Sequence, residues 1–228
     1  MLNYLKQFHH LSKHQVLYPL LLSTGLAGFL LIGRVYLSGR LTFHFLIWNL
    51  FLAWIPYASS FWATYLYRHQ RRYRGVLLIP ALIWLVFFPN APYIVTDLLH
   101  LAPRHPVPLW YDLSLLSVFA WTGLFLAVFS LRSMQVLLAP VSGVGLSWLF
   151  VFGVAGLSGF GVYLGRFLRW NSWDLLFHPL AILTDVGVRL LNPGLYLHDL
   201  GFSFIFAAFL LICYLTVFPG LTLIQRDV

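Results

Sequence analysis

Gly75-Val-Leu-Leu-Ile-Pro-Ala-Leu-Ile-Trp-Leu-Val-Phe-Phe-Pro-Asn-Ala-Pro-Tyr-Ile-Val-Thr-Asp-Leu-Leu-His100 is the stretch that decides the fold class. It carries no charge before Asp97, and about 20 such residues cross the hydrocarbon core of a bilayer as a helix. The same stretch sets Pro89 and Pro92 around Asn90; each proline removes a backbone donor and disturbs the helix behind it. Counting ~1.5 Å per residue from Val76, Asn90 falls about 21 Å across, still within a bilayer. Irregular backbone at that depth is tolerated only where protein or a wet cavity surrounds it. One segment thus points both to a membrane span and to an interruption in it.

Five further stretches have the length and apolarity of a span: 16–37, 42–67, 110–131, 140–164 and 199–223, beside 75–99. Hydrophobic residues make up 61% of the chain and charged residues 9%, with a mean hydropathy of +0.84. So few charges cannot cover a water-soluble surface, whereas a bilayer demands little polar surface. The expectation is an all-α polytopic transmembrane bundle, residues 1–228 forming one membrane domain. Lys6 and Lys13 precede the first apolar run without a small-residue cleavage site after it, so a retained first helix is expected. Cys213 is the single cysteine, which excludes an intramolecular disulfide.

Fourteen Lys and Arg against six acidic residues give a net charge of +8. In short loops between spans the natural partner of that charge is the anionic headgroup layer of the bilayer, not nucleic acid. With the Arg68, Arg71, Arg72 and Arg74 cluster in the cytoplasm, the N-terminus, a loop near Arg132 and Arg226 fall inside too. Arg34, Arg40, Arg104, Arg166, Arg169 and Arg189 then fall outside.

All six acidic residues are aspartates, and six spans put five of them (Asp97, Asp112, Asp174, Asp185, Asp199) at one face. Charge near hydrocarbon is costly, so groups retained there either pair or do work. Beyond the proline break, Tyr93, Thr96, Asp97 and His100 share a helical face, and Asp97 and His100 have a spacing at which carboxylate and imidazole can share a metal. The plainer alternative is a kinked helix whose Asn90 and Asp97 cap nearby backbone.

Gly165-Arg-Phe-Leu-Arg-Trp-Asn-Ser-Trp-Asp174 places Arg166 and Arg169 together at a helix end, where guanidinium forks suit phosphate or carboxylate. Asn171 or Ser172 could cap the next helix. The alternative is an Arg/Trp interfacial anchor with internal Arg–Asp pairs. From Trp173 to Asn192, helical spacing brings Asp174, His178, Asp185, Arg189 and Asn192 within about 60° on an otherwise apolar segment. As a seventh span its central charges would cost on the order of 2.5–3.5 kcal/mol each. An interfacial or re-entrant helix with the stripe against the other spans avoids most of that cost. Asp112 and Asp199, each near a span start, are expected to act as helix N-caps when taken alone. Glycines 143, 145, 153, 156, 159, 161 and 165 mark span five as a central packed helix, with a homodimer face as the alternative.

These motifs carry a resemblance. Asn49-Leu-Phe-Leu-Ala-Trp-Ile-Pro56, Phe88-Pro-Asn-Ala-Pro-Tyr93 with Thr96-Asp97, Trp110-Tyr-Asp112 and Tyr163-Leu-Gly-Arg-Phe-Leu-Arg-Trp-Asn-Ser-Trp-Asp174 together resemble a family of bacterial membrane proteins, domain of unknown function 1361. The resemblance implies a multi-pass protein of the bacterial inner membrane and supplies no catalytic residue.

Three functions fit these residues. In the first, an enzyme, Asp97, His100, Asp112 and Asp174 hold a divalent metal, an oxygen-rich set with one histidine that suits Mn²⁺, Mg²⁺ or Zn²⁺. The metal polarises a phosphoryl or acyl centre, with His178 or a spare aspartate as general base. Asn90, Tyr93, Thr96, Arg166, Arg169, Asn171, Asp185 and Arg189 bind an anionic headgroup or lipid-linked substrate. In the second, a transporter or flippase, the broken third span binds the ligand. In the third, a structural or assembly protein, the aspartates and arginines pair with one another.

Overall fold

The computed structural model describes residues 16–69 and 74–219. Lys6, Lys13, Arg71, Arg72 and Arg226, on which much of the orientation argument rests, lie outside the described residues. The described residues fold into helices α1 (Leu17–Ser38), α2 (Phe45–His69), α3 (Leu78–Phe87), α4 (Asn90–Tyr93), α5 (Leu109–Ser142), α6 (Val144–Phe167), α7 (Asp174–Phe177), α8 (Pro179–Leu191) and α9 (Leu197–Val217). A 3₁₀ segment, Ile94–His100, follows α4 directly. Among the described residues six stretches are long and apolar enough to cross a membrane: α1, α2, the composite Gly75–His100, α5, α6 and α9. The protein is an all-α, multi-pass membrane bundle.

Helices dominate because hydrocarbon offers no partner for backbone N–H and C=O groups, and a helix satisfies them within one segment. Helix ends where no side chain caps are made in other ways. The last turn of α1 closes on Gly39, in the left-handed region at φ 64°, whose N–H donates to the Val35 carbonyl at 2.8 Å. α8 has 13 residues and at 1.5 Å each reaches only about 20 Å, short of a hydrocarbon core of about 30 Å. It is not a seventh span.

α5 is the hub. It is the most buried span and packs against α1, α2, α4, the 3₁₀ segment, α6 and α9. The fourth span therefore holds the centre that the glycine content assigns to the fifth. α5 also runs past the expected end at 131 to Ser142, with Pro140 near its C-terminus. Arg132 is consequently not in a loop: it is buried in α5 and donates to Gln135 Oε1 at 3.0 Å, with its guanidinium 5.2 Å from the Phe218 ring. The connection to α6 shrinks to Gly143, at φ 84° and ψ 165°, a conformation closed to residues with a Cβ.

The glycines of α6 divide by face. A Cβ at Gly145, Gly153 or Gly156 would meet nothing within 4 Å, whereas one at Gly161 would lie 2.9 Å from Pro89 and one at Gly165 3.3 Å from Tyr93. On α5, a Cβ at Gly123 would lie 2.5 Å from the Ala91 carbonyl oxygen. The proline-broken third span is thus clamped between two helices thinned to receive it. This is the buried setting that irregular backbone needs at membrane depth.

Candidate functional site

Alternating spans place Asp97, Asp112, Asp174, Asp185 and Asp199 at one end of the bundle, and there they separate into distinct clusters. In the first, Asp112 accepts from Arg34 Nε at 3.2 Å and Nη2 at 3.4 Å, both side chains within 2% of full burial. The third nitrogen, Nη1, donates to Ser38 Oγ at 2.8 Å and Thr42 Oγ1 at 3.2 Å. Phe43, fully buried, lies 5.2 Å from the Arg34 guanidinium and 5.0 Å from that of Arg104. Asp112 is therefore no helix cap, and Arg34 no loop charge. They form an ion pair with every guanidinium nitrogen engaged, the condition under which a buried pair is tolerated.

The second cluster is centred on Asp97. The 3₁₀ turn has three residues per turn, which lines Asp97 up with Ile94 and His100 and turns it inward. Its Oδ2 accepts from Asn49 Nδ2 at 2.8 Å and its Oδ1 from Arg166 Nη1 at 3.3 Å. Thr96 is occupied locally, donating to the Tyr93 carbonyl at 2.7 Å. Asn90 donates from Nδ2 to the Phe87 carbonyl at 3.0 Å and to Ser172 Oγ at 2.7 Å, so the proline break grips the loop after α6. Tyr93 packs its ring against Gly165.

That loop holds Arg169 at φ 60°, left-handed and exposed, with no ion-pair or side-chain hydrogen-bond partner among the described residues. Left-handed backbone at a non-glycine residue costs of order 1 kcal/mol and persists only where its surroundings impose it. Asn171 N–H and Nδ2 donate to Asp174 Oδ2 at 2.7 and 3.3 Å, which makes Asp174 a local turn former. Trp173 packs edge-on against Trp48 at 6.3 Å.

The third cluster joins α6, α8 and α9. Asp199 accepts from the Tyr163 hydroxyl and from Arg189 Nε at 3.2 Å. Asp185 faces Arg189 Nη1 at 3.6 Å and accepts from Trp170 Nε1 at 2.8 Å. The Arg189 guanidinium also lies 5.0 Å from the Tyr196 ring. Burial opposes its charge, but Tyr163, Asp199 and Asp185 outweigh that effect and hold its pKa above the ordinary arginine value. Asp199 thus serves a bridge, not a cap.

The expected metal set does not assemble. Among the described residues no three His, Cys, Asp or Glu side chains are grouped so as to hold a metal ion. Asp112 is turned to Arg34, Asp97 to Arg166 and Asn49, and Asp174 to Asn171, while the His100 ring packs on Phe45 at 4.9 Å. The expected stripe from Asp174 to Asn192 is also interrupted. His178 leaves helical geometry at φ −132°, ψ 46°, so Asp174 and exposed His178 stand apart from Asp185 and Arg189 on α8.

Sequence reasoning missed Asn49, Tyr163 and Arg34 as partners. Their signal is a polar group within a span, and the aspartate that each one meets lies 36 or more residues away in the chain.

Residues 48–213 match the family model described as Protein of unknown function (DUF1361). The chain belongs to this family. The DUF1361 match takes in Asn49, the proline break, Asp112, the Arg166–Asp174 loop and the Arg189–Asp199 bridge, and leaves Arg34 outside it. No curated protein and no solved structure matches the chain.

Proposed function

We propose that the end of the bundle carrying Asp97, Arg166 and Arg169 binds the phosphate of an anionic lipid or lipid-linked molecule, at the outer face of a bacterial inner membrane with the N-terminus cytoplasmic. The observation that carries this reading is the unequal use of the two arginines. Asp97, held by Asn49, draws only Nη1 of Arg166, and Arg169, three residues on, is exposed and has no ion-pair partner among the described residues. Guanidinium forks match phosphate oxygens two at a time. The flanking Trp48, Trp170 and Trp173 suit the headgroup level. Arg34, by contrast, is consumed by Asp112 and belongs to the scaffold.

Recognition fits this geometry better than turnover. Both oxygens of Asp97 and of Asp112 are engaged by donors, which leaves neither placed as a general base. A hydrolase or transferase acting on the bound lipid would need its reactive group from elsewhere. Transport along α5 is disfavoured: its buried side chains between Asp112 and Arg132 are apolar except Thr122 and Ser130, whose hydroxyls donate to the Val118 and Ala127 carbonyls.

The test is binding of a short-chain phosphatidic acid to the full chain in nanodiscs of zwitterionic lipid. Charge-assisted hydrogen bonds contribute about 1.5–3 kcal/mol each, so Arg166→Gln with Arg169→Gln should weaken binding by tenfold or more. Equal binding by the double variant, or no binding by the native chain, would overturn the reading.

A further inference from the structure

A second feature lies on the opposite flank of α2. α1 and α2 enclose a lateral groove of about 730 Å³, floored by Leu31, Leu50 and Phe119 and rimmed by Ile32, Ile47 and Phe51. The floor residues are buried, while the rim residues are half or more exposed, so the groove opens sideways from the bundle. Both flanking helices are membrane spans, so what lies beyond the opening is hydrocarbon.

Its direction is axial. Lining residues on α1 run from Thr24 to Tyr36, a rise of about 18 Å, comparable with one leaflet of a hydrocarbon core about 30 Å thick. The deep end is closed where Trp54 Nε1 donates to Thr24 Oγ1 at 3.2 Å. The shallow end emerges at Leu41 and His44, at the same end of the bundle as Asp97. Tyr36, 89% exposed, lines this end, and Arg40, the residue before Leu41 in the chain, is exposed and without a carboxylate partner among the described residues. Apolar walls along a leaflet's depth, with an exposed guanidinium and a hydroxyl at the headgroup end, complement an anionic molecule with a hydrocarbon chain. Gly28 opens the middle of the trench: a Cβ there would meet nothing within 4 Å.

We infer that this groove holds one hydrocarbon chain of an anionic membrane phospholipid, with its headgroup against Arg40 and Tyr36. The site is separate from that of Asp97 and Arg166, since Asn49 projects from the face of α2 opposite Ile47, Leu50, Phe51 and Trp54. A volume of this size lies within the ordinary range of ligand sites, about 300–1,000 Å³.

The experiment reconstitutes the full chain with phosphatidylglycerol carrying a diazirine in its acyl chain, then maps photo-adducts by peptide mass spectrometry. Adducts should concentrate on residues 31–35 and 47–54 relative to the outward-facing Leu22 and Phe152. Gly28→Phe, whose Cβ would meet nothing within 4 Å, sets a ring in the trench in place of several buried methylenes of the acyl chain. It should cut those adducts about tenfold or more and leave the others and the thermal midpoint unchanged; Gly28→Leu should do so more weakly. Arg40→Gln should lower phosphatidylglycerol adducts to the level given by a phosphatidylcholine probe, and Arg166→Gln should not change them. Adducts spread evenly over the lipid-facing surface would overturn the inference. So would adducts indifferent to both Gly28 variants, or a dimer of the native chain that Gly28→Phe converts to monomer, which would make a second copy the occupant. Arg40→Gln without effect would overturn the headgroup assignment.

Discussion

Arg34 and Asp112 stand 78 positions apart in the chain and face each other across two nearly parallel hydrogen bonds, sealed from solvent. Removing one partner leaves a buried charge uncompensated, at a cost on the order of 3–5 kcal/mol. Arg34→Gln and Asp112→Asn should each lower the thermal midpoint in detergent markedly. Arg34→Leu combined with Asp112→Leu should lose less than the sum of the corresponding single leucine variants, as a double-mutant cycle would read.

The two arginines after α6 should behave unlike this pair. Arg169 is exposed and has no ion-pair partner among the described residues, so Arg169→Gln should change stability by no more than about 0.5 kcal/mol while weakening phosphatidic acid binding. Asn49→Ala, which removes a donor to Asp97, should do both: loosen the fold by about 1–3 kcal/mol and reduce binding by freeing Asp97 to draw Arg166 away from the ligand. Comparing thermal midpoint with affinity separates the two cases.

Glycine substitutions offer a test internal to one residue type. Gly123→Ala and Gly161→Ala press on Ala91 and Pro89 and should destabilise by about 1–3 kcal/mol, the usual cost of overpacking. Gly153→Ala and Gly156→Ala meet open space and should be neutral or slightly stabilising, since alanine outranks glycine in helices. Thermal unfolding of the four variants side by side checks the clamp on the broken span.

The tether of α8 should also be separable from the bundle. Trp170→Phe removes a donor to Asp185 and Tyr163→Phe one to Asp199. The double variant should exchange amide hydrogens faster across residues 179–191, with α5 and α2 unaffected. Local openings of this kind draw on few buried contacts, and Ile182 is the only buried side chain of α8.

How far the sequence reaches can be judged from these same residues. Span positions follow from apolar length, and α1, α2 and the composite third span lie within a few residues of expectation. α5 outran its expected end because Arg132 looked like a loop residue, although a buried guanidinium is stable in a span once Gln135 and an aromatic ring receive it. The aspartates were legible as a group at one end, since six spans dictate that. Their partners were not. Spacing rules join residues three or four apart, while Asp97 meets Asn49 and Arg166 and Asp112 meets Arg34 through tertiary packing alone. Asp97 and His100 had suitable spacing for a shared ligand, yet Phe45 claims the imidazole.

The single-residue join at Gly143 has a mechanical corollary. Two long helices hinged on one backbone unit, itself confined to a conformation that side chains forbid, leave no slack at that pole. If α6 tilts or slides when a ligand arrives, the give comes from the opposite pole, where residues 168–196 separate it from α9. The bundle is built like a pair of tongs, with its rivet at one extremity and its working length at the other.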